Sequence, residues 1–322
     1  MARAAVTVVV PTFNAETTLG PALGSVRRQD YEGPVEILVT DGGSTDRTRA
    51  IAVEHDARVI DNPSRKQEVG CALGIEAASG ELVLMLDADN ELPHSGWLSR
   101  MVSALDLAPD VAGADAIRQT VQPSAPAVER LTALIGGTDP LAIDLGWSDR
   151  WGVHTGRWTR MPTEEEDRED AVLVRIDPRR APPMGSNGFL FRRDLLLEVS
   201  YSPFFHPEVV AEIAGRGYRF ARVHDGIIHH FAPDLRTALR KVRKRTSNTA
   251  GRYGTRAVTP PQDVLRLIAV AFWSLTLLGP TWQALRGYRR HPDRAWALYP
   301  LLHAAWTIGY LRAFARRRMG RL

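Results

Sequence analysis

Asp87 and Asp89 stand one residue apart directly after the apolar run 82–86. Two carboxylates this close repel each other unless a cation holds them, and hard oxygen ligands of this kind suit Mg²⁺ or Mn²⁺ that also grips a substrate diphosphate. An ordinary acidic turn is the plainer alternative. The preceding run, Leu82 to Leu86, has no polar alternation and reads as a central parallel strand covered on both faces. The acidic pair therefore sits at the carboxyl end of a strand, where open α/β sheets bind their ligands.

The elements that must hold this pair repeat one plan. Residues 6–10 are a β-branched run ending in Pro11-Thr12-Phe13-Asn14, followed by helical spacing through Leu19, Leu23 and Val26. Residues 35–40 form a second strand that also ends in a carboxylate, Asp41, followed by Gly42-Gly43-Ser44-Thr45-Asp46. The glycines permit close backbone approach to a ligand, and Ser44 or Thr45 can cap the next helix. A strand at 58–60, a helix at 66–78 and the strand at 82–86 complete a βα alternation that implies a mostly parallel sheet. A helix at 95–107 and a strand at 111–117 follow. Residues 136–183 then lose periodicity, mixing Trp147, Trp151 and Trp158 with the acidic run 164–170, and read as an irregular functional insert. Order returns with a turn and strand at 185–193, a helix at 207–215, and short strands at 218–223 and 226–231.

The chain of 322 residues carries a net charge of +4 that conceals two electrostatic bodies. From residue 235 onward there are 18 Lys or Arg against 2 Asp or Glu, a balance of +16, which leaves −12 for residues 1–234. Such asymmetry points to a polyanionic partner for the tail, either nucleic acid or an anionic membrane surface. Cys71 is the only cysteine, so no internal disulfide forms and a reducing compartment is compatible. The N-terminal apolar run is too short for a signal peptide and reads as the first strand.

Taken together, Val-Pro-Thr-Phe-Asn at 10–14, Thr-Asp-Gly-Gly-Ser-Thr-Asp at 40–46, Leu-Asp-Ala-Asp-Asn at 86–90, Gly-Ser-Asn-Gly-Phe-Leu-Phe-Arg-Arg at 185–193 and Gly-Tyr-Arg at 217–219 resemble the family 2 glycosyltransferases. The resemblance spans residues 6–231. It implies a GT-A fold, Rossmann-like with a mostly parallel sheet, over 1–234, with 136–183 on the acceptor side. It further implies a UDP- or GDP-linked sugar donor, a divalent cation and inversion at the anomeric carbon. Pro11, Thr12, Phe13 and Asn14 match the wall against the donor base and ribose, and Asp41, beside Gly43 and Ser44, matches the acidic residue that meets the nucleobase. Arg65 and Lys66 lie where a basic side chain approaches the nucleotide. Asp87 and Asp89 match the Asp-x-Asp pair, Asp89 on the metal and Asp87 on ribose or metal. Gly185, Ser186 and Asn187 fall on the acceptor side, and one histidine of His229-His230 matches a further metal ligand, with His230 favoured by register. The chain departs from the family at the base: the usual Glu-Asp pair becomes Phe205-His206, so His206 occupies the base position, with Glu208 as the displaced carboxylate.

Residues 235–253 read as a basic helix, and 267–285 and 295–310 as two apolar segments near the length of a membrane span. Arg286, Arg289, Arg290 and Arg294 fill the loop between them, against the positive-inside tendency of a hairpin, and Pro280 and Pro300 interrupt the segments. Helices lying in the interface, with Trp273, Trp282, Trp296 and Trp306 at headgroup depth, fit better than a span. The tail, 235–322, is therefore expected to hold the protein on an anionic membrane surface at its cytoplasmic face, and its helices could also serve self-association. An apolar, aromatic tail without a reading motif argues against nucleic acid. The resulting expectation is a metal-dependent glycosyltransferase of cell-envelope polysaccharide synthesis acting on a lipid-linked acceptor, a polyprenyl phosphate or lipid-linked saccharide. Transfer to a soluble or growing polysaccharide, and a degenerate nucleotide-sugar-binding protein tethered to the membrane, stay open beside it.

Overall fold

In a computed structural model of the chain, residues 3–252 and 264–319 are described. In chain order the elements begin with β1 (Val6–Thr12), α1 (Leu19–Arg27), β2 (Val35–Asp41), α2 (Thr48–Glu54), β3 (Arg58–Asp61), α3 (Gln67–Ala77), β4 (Leu82–Met85), β5 (Asn90–Glu91), α4 (Trp97–Ala104) and β6 (Val111–Thr120). Then come α5 (Ala127–Ile135), α6 (Pro140–Leu145), β7 (Thr163–Asp167), β8 (Ala171–Ile176), β9 (Phe189–Arg192), α7 (Arg193–Leu197), α8 (His206–Gly215) and β10 (Arg219–His229). Four helices close the chain: α9 (Leu235–Arg252), α10 (Val264–Leu275), α11 (Leu278–Arg290) and α12 (Tyr299–Met319). Tyr253, expected at the end of the basic helix, lies outside the described residues.

The chain folds as two compact units, one of residues 1–117 with 162–230 and one of 118–161 with 231–322. The first holds a mixed sheet in the order β3-β2-β1-β4-β9-β6-β10-β8-β7, with β5 paired to β10. Its β3-β2-β1-β4 half is parallel, Val9 pairing with Leu38 on one side and Met85 on the other. β9 then runs antiparallel to β4, with Met85 opposite Phe189. Core residues such as Val8, Val10, Leu84, Leu86 and Trp97 are almost entirely buried, as the unbroken apolar runs required. Helix α3 lies unusually close to β1, because a Cβ on Gly74 would fall 2.2 Å from Val9 Cγ1.

The stretch 136–183, expected to be irregular, carries α6, β7 and β8, whereas 146–162 has only turns and an isolated bridge between Gly152 and Arg157. Its acidic run is β7, an edge strand paired to β8 with its glutamates in solvent. Charge of this kind keeps an edge from pairing with other chains, and it also masks strand periodicity. The expected pair of short strands near 218–231 is one strand, β10.

In the second unit α5 and α6 pack with the C-terminal helices. Leu131 and Ile135 share a core with Trp296, Tyr299 and Leu302, while Leu141 and Leu145 meet Val242 and Trp306. That sharing moves residues 118–161 to the far side of the boundary expected at 234. Polar groups are also matched: Gln283 Nε2 donates to Asp144 Oδ1 at 2.9 Å, His303 Nε2 lies 2.8 Å from Asp144 Oδ2, and Tyr310 donates to Asp139 at 2.6 Å. The first apolar segment is broken at Leu277, left-handed with φ 58°, into α10 and α11. Pro280 and Pro300 stand in the first turns of α11 and α12, where no backbone donor is missed, so they start helices rather than interrupt them. Among the described residues no helix is long and apolar enough to cross a membrane. Trp296 and Trp306, 2% and 3% exposed, are core residues and not interfacial anchors, whereas Trp273 and Trp282 remain 46% and 55% exposed.

Candidate functional site

β4 delivers Asp87 and Asp89, both half-buried, to the carboxyl end of the parallel strands. The turn is pinned from two sides: Asn90 N donates to Asp87 O at 2.9 Å and His230 N to Asp89 O at 2.8 Å. β10 passes β5 with its last residue, His229, opposite Asn90, and His230, the next residue in the chain, faces the other way. His229 Nε2 lies 3.5 Å from Asp89 Oδ2, while His230 Nε2 lies 3.1 Å from Glu91 Oε2. Of the two, His229 is the one beside the acidic pair, whereas His230, favoured by register, lies against Glu91. Gln67, the first residue of α3, donates its amide to Asp87 Oδ1 at 2.9 Å. No sequence signal marked Gln67, since a glutamine at a helix start is ordinarily solvated.

Asp87 and Asp89 bring two carboxylates to one strand end, hard oxygen donors of the kind Mg²⁺ or Mn²⁺ takes, and the His229 imidazole lies 3.5 Å from Asp89. Among the described residues no group of three or more histidine, cysteine, aspartate or glutamate side chains is placed so that it could hold a metal ion. A cation on these two carboxylates would therefore take most of its ligands from substrate oxygens and water.

The corner matched to the donor base is built by mutual hydrogen bonding of two loops. Asn14, left-handed at φ 50°, accepts from Thr45 N at 2.9 Å, and its own N donates to Ser44 Oγ at 2.8 Å. Asp41 is enclosed, its side chain 0% exposed. It accepts from Ser44 N at 3.1 Å and Arg49 Nη1 at 3.2 Å, and the Ser44 hydroxyl donates to its other oxygen. Burial pushes the Asp41 carboxyl up, but these hydrogen bonds and the Arg49 charge outweigh it and hold the group below the usual range. A nucleobase meets this carboxylate only if Ser44 or Arg49 releases an oxygen. Arg49 also reaches Asp61 at 2.7 Å and was not singled out by the sequence. What the corner presents to solvent is Phe13, half exposed, with the Arg65 guanidinium 6.0 Å from its ring centre. Gly42 keeps this corner compact, since a Cβ there would lie 3.3 Å from Thr12 O and 3.4 Å from the Phe13 ring. Lys66, N-cap of α3, is exposed beside it. Pro11 and Thr12 end β1, so the wall starts from a rigid strand.

On the other side, the turn 185–188 is tied to β4 by Gly188 N donating to Met85 O at 2.8 Å. Gly185, Asn187 and Gly188 all have positive φ, 112°, 55° and 84°. Residue 185 must be glycine for space as well, because a Cβ would stand 3.0 Å from both His206 Cβ and Val210 Cγ2. His206 and Val210, one turn apart on α8, thus present one face to this loop. Glu208 sits about 200° around the same helix at ~100° per residue. His206 is the candidate base whose Cβ packs against Gly185. Hence β4, the 185–188 turn and the start of α8 form one connected wall.

The model of glycosyl transferase family 2 matches residues 7–196 of the chain. An uncharacterised glycosyltransferase of Mycobacterium tuberculosis is 33% identical over 111 residues, 34% of this chain and 48% of that protein. A GalNAc(5)-diNAcBac-PP-undecaprenol beta-1,3-glucosyltransferase of Campylobacter jejuni is 37% identical over 102 residues, 30% of this chain and 32% of that one. The match thus covers about half the length of the first relative, at 48%, and a third of the second, at 32%. A solved mannosyltransferase of Pyrobaculum calidifontis, in complex with GDP-Man and Mn²⁺, superposes with a TM-score of 0.56 at 15% identity, covering 98% of this chain and 88% of that one. That likeness gives the fold, an α/β architecture of GT-A type. With more than half its length matched by the family model, and with the acidic pair, the glycine turns and the two loop corners placed around one strand end, the chain belongs to glycosyl transferase family 2.

Proposed function

We propose that the protein transfers a sugar, with inversion, from a UDP- or GDP-linked donor to a lipid-linked acceptor at the cytoplasmic face of a membrane. The observation that carries the transfer is the Asp87-Ala88-Asp89 turn at the end of β4, with His229 Nε2 3.5 Å from Asp89 on one side and the His206-bearing wall on the other. A bound Mg²⁺ or Mn²⁺ would supply charge neutralisation for the diphosphate leaving group. The chain's own residues do the rest. Phe13 and Arg65 offer a face and a charge to the nucleotide, and Gln67 fixes the orientation of Asp87. His206, beside the acceptor loop, takes the proton from the attacking hydroxyl, as a neutral imidazole can near neutral pH. Donor class is supported by the GDP-Man complex of the Pyrobaculum enzyme and acceptor class by the undecaprenol-linked substrate named for the Campylobacter enzyme.

Attachment to the membrane is supported by the composition of the second unit, where Phe272 and Leu278 are 73% and 74% exposed beside Trp282 and Leu285. Exposed apolar area of this density is unusual for a protein surface that meets only water. The test is a donor screen for released nucleoside diphosphate, with Mn²⁺ present and membrane lipid extract as acceptor. Turnover with one donor, dependent on the extract, is expected. Silence with every donor from folded protein would reject transfer, and turnover indifferent to the extract would reject the lipid-linked acceptor.

A further inference from the structure

Between α9 and α12, wholly within the second unit, runs a groove of about 1290 Å³. Five of the side chains lining it are cations, Arg240, Arg243 and Lys244 from α9 and Arg312 and Arg316 from α12. Their spacing puts them on facing stripes, since residues three and four apart share one side of a helix. The helices touch where Gly309 meets Thr246, for a Cβ on Gly309 would lie 2.7 Å from Thr246 Oγ1. The groove opens beside that contact. Its walls also carry Leu239 and Ile308, 39% and 38% exposed.

Two further cations of α9, turned toward Phe231, are accounted for by packing. Lys241 Nζ and Arg245 Cζ stand 5.5 and 5.0 Å from the Phe231 ring centre, and Arg245 donates to Thr138 Oγ1 at 2.9 Å. By contrast, none of the five groove cations stands within ion-pair distance of a described acidic residue, Arg240 acting on Asp234 only from farther away. Like charges lining one groove repel one another, and an anion bound among them relieves that repulsion. The ligand that matches must be anionic at one end and apolar at the other. Exposed aromatic residues that could stack bases are missing from the groove lining, which disfavours single-stranded nucleic acid.

We propose that the α9/α12 groove is a binding site for the phosphate headgroup of an anionic bilayer lipid, whose first acyl carbons lie on Leu239 and Ile308. This rests on the membrane attachment proposed above and adds to it a defined headgroup site.

The test is cosedimentation of the full chain with vesicles of phosphatidylcholine, with and without phosphatidylglycerol. Arg243→Gln, Lys244→Gln and Arg312→Gln are combined in one variant. A matched control combines Arg286→Gln, Arg289→Gln and Arg294→Gln, equal in charge but outside the groove. At the usual contribution of a basic residue near an anionic surface, the groove variant should lose about a hundredfold in partition to the anionic vesicles. Binding to phosphatidylcholine alone should stay at the wild-type level. The control should lose clearly less, and the far-ultraviolet circular dichroism of both should match the wild type. Equal losses in the two variants, or no loss in either, would overturn the groove site while leaving membrane attachment standing. Wild-type protein that ignores anionic vesicles would overturn both. Retention of a single-stranded RNA oligonucleotide by the wild type, lost in the groove variant while vesicle binding is unchanged, would assign the groove to nucleic acid instead.

Discussion

Gly74→Ala adds a single methyl group where α3 rests on β1, and its effect can be worked from the geometry. The new Cβ would stand 2.2 Å from Val9 Cγ1 and 3.0 Å from Val9 Cγ2, against about 3.5–4.0 Å for carbons in favourable contact. Val9 is fully buried in a strand paired on both sides, so it cannot retreat cheaply. Overpacking of this severity falls near the top of the usual range, roughly 3 kcal/mol. Alanine returns about 1 kcal/mol through its better helix propensity. The net loss is about 2 kcal/mol, or a fall of roughly 4–8 °C in the melting temperature of a unit this size. The assay is thermal unfolding of the single variant, of Val9→Ala, and of the pair. Removing both γ carbons of Val9 makes room for the methyl, so the double variant should be more stable than the sum of the single losses predicts, by about 3 kcal/mol. Additivity within about 0.5 kcal/mol would show that the helix does not rest on Val9 at this point.

Asp89→Asn should abolish donor-dependent nucleotide release without changing the fold, because the amide keeps the shape but not the charge; normal turnover at ordinary Mn²⁺ would reject its role. His229→Ala should weaken Mn²⁺ binding in calorimetry by roughly tenfold or more, with His230→Ala nearly silent, and the reverse order would restore His230 to the cation. His206→Ala should lower turnover about a hundredfold with donor affinity kept, while a damaging Glu208→Gln beside a silent His206→Ala would move the base to the carboxylate. Burial, opposed by Asp144 and assisted by Arg160, His303 and Arg286, pushes His154 down to about 4. Since its unfolded pKa is near 6.5, the unfolded chain binds the extra proton as pH falls from about 6.5 to 4, and up to about 3 kcal/mol is lost across that window. Chemical denaturation of wild type and His154→Phe at pH 7.5 and 4.5 should show the variant losing less, and an equal loss would refute it.

Much of the catalytic unit was legible because its cues are local. An unbroken apolar run ending in Asp87 and Asp89 fixes both a buried strand and its functional end. The glycines at 42 and 43 and at 185 and 188 mark turns whose positive φ or close contacts the structure bears out, Gly185 at 112° among them. What sequence missed depends on partners far along the chain. The choice between His229 and His230 rests on how β10 registers with β5, about 140 residues away. Arg49 and Gln67 look like solvated helix residues until Asp41 and Asp87 are brought beside them. Trp296 and Trp306 have the composition of interfacial anchors, and only their packing against α5 and α6 makes them core. Likewise the run Thr163–Asp167 carries too much charge to declare itself a strand before β8 pairs with it.

The site lies where the two halves of the sheet change direction. The parallel half supplies strand ends, and therefore Asp41, Asp87 and Asp89, whereas the antiparallel half brings back the turn at 185–188 and His229 toward the end of β4. How far that turn stands from the acidic pair depends on the register of β9 on β4. A slip of one residue would send every side chain of β9 to the opposite face. Phe189 and Phe191 resist the slip, because both are fully buried, with ring centres 4.3 Å apart. Phe189 also meets Phe220 of β10 at 5.8 Å, and Phe191 meets Phe204 at 6.2 Å. Phe204 is held in turn by its N donating to Glu68 O at 2.9 Å, on the first turn of α3 that carries Gln67. Two residues later the chain reaches His206. One aromatic cluster therefore sets the register of the turn at 185–188, the start of α8 and the helix that brings Gln67 to Asp87, so that the groups at this strand end are positioned from a common core rather than from their own loops.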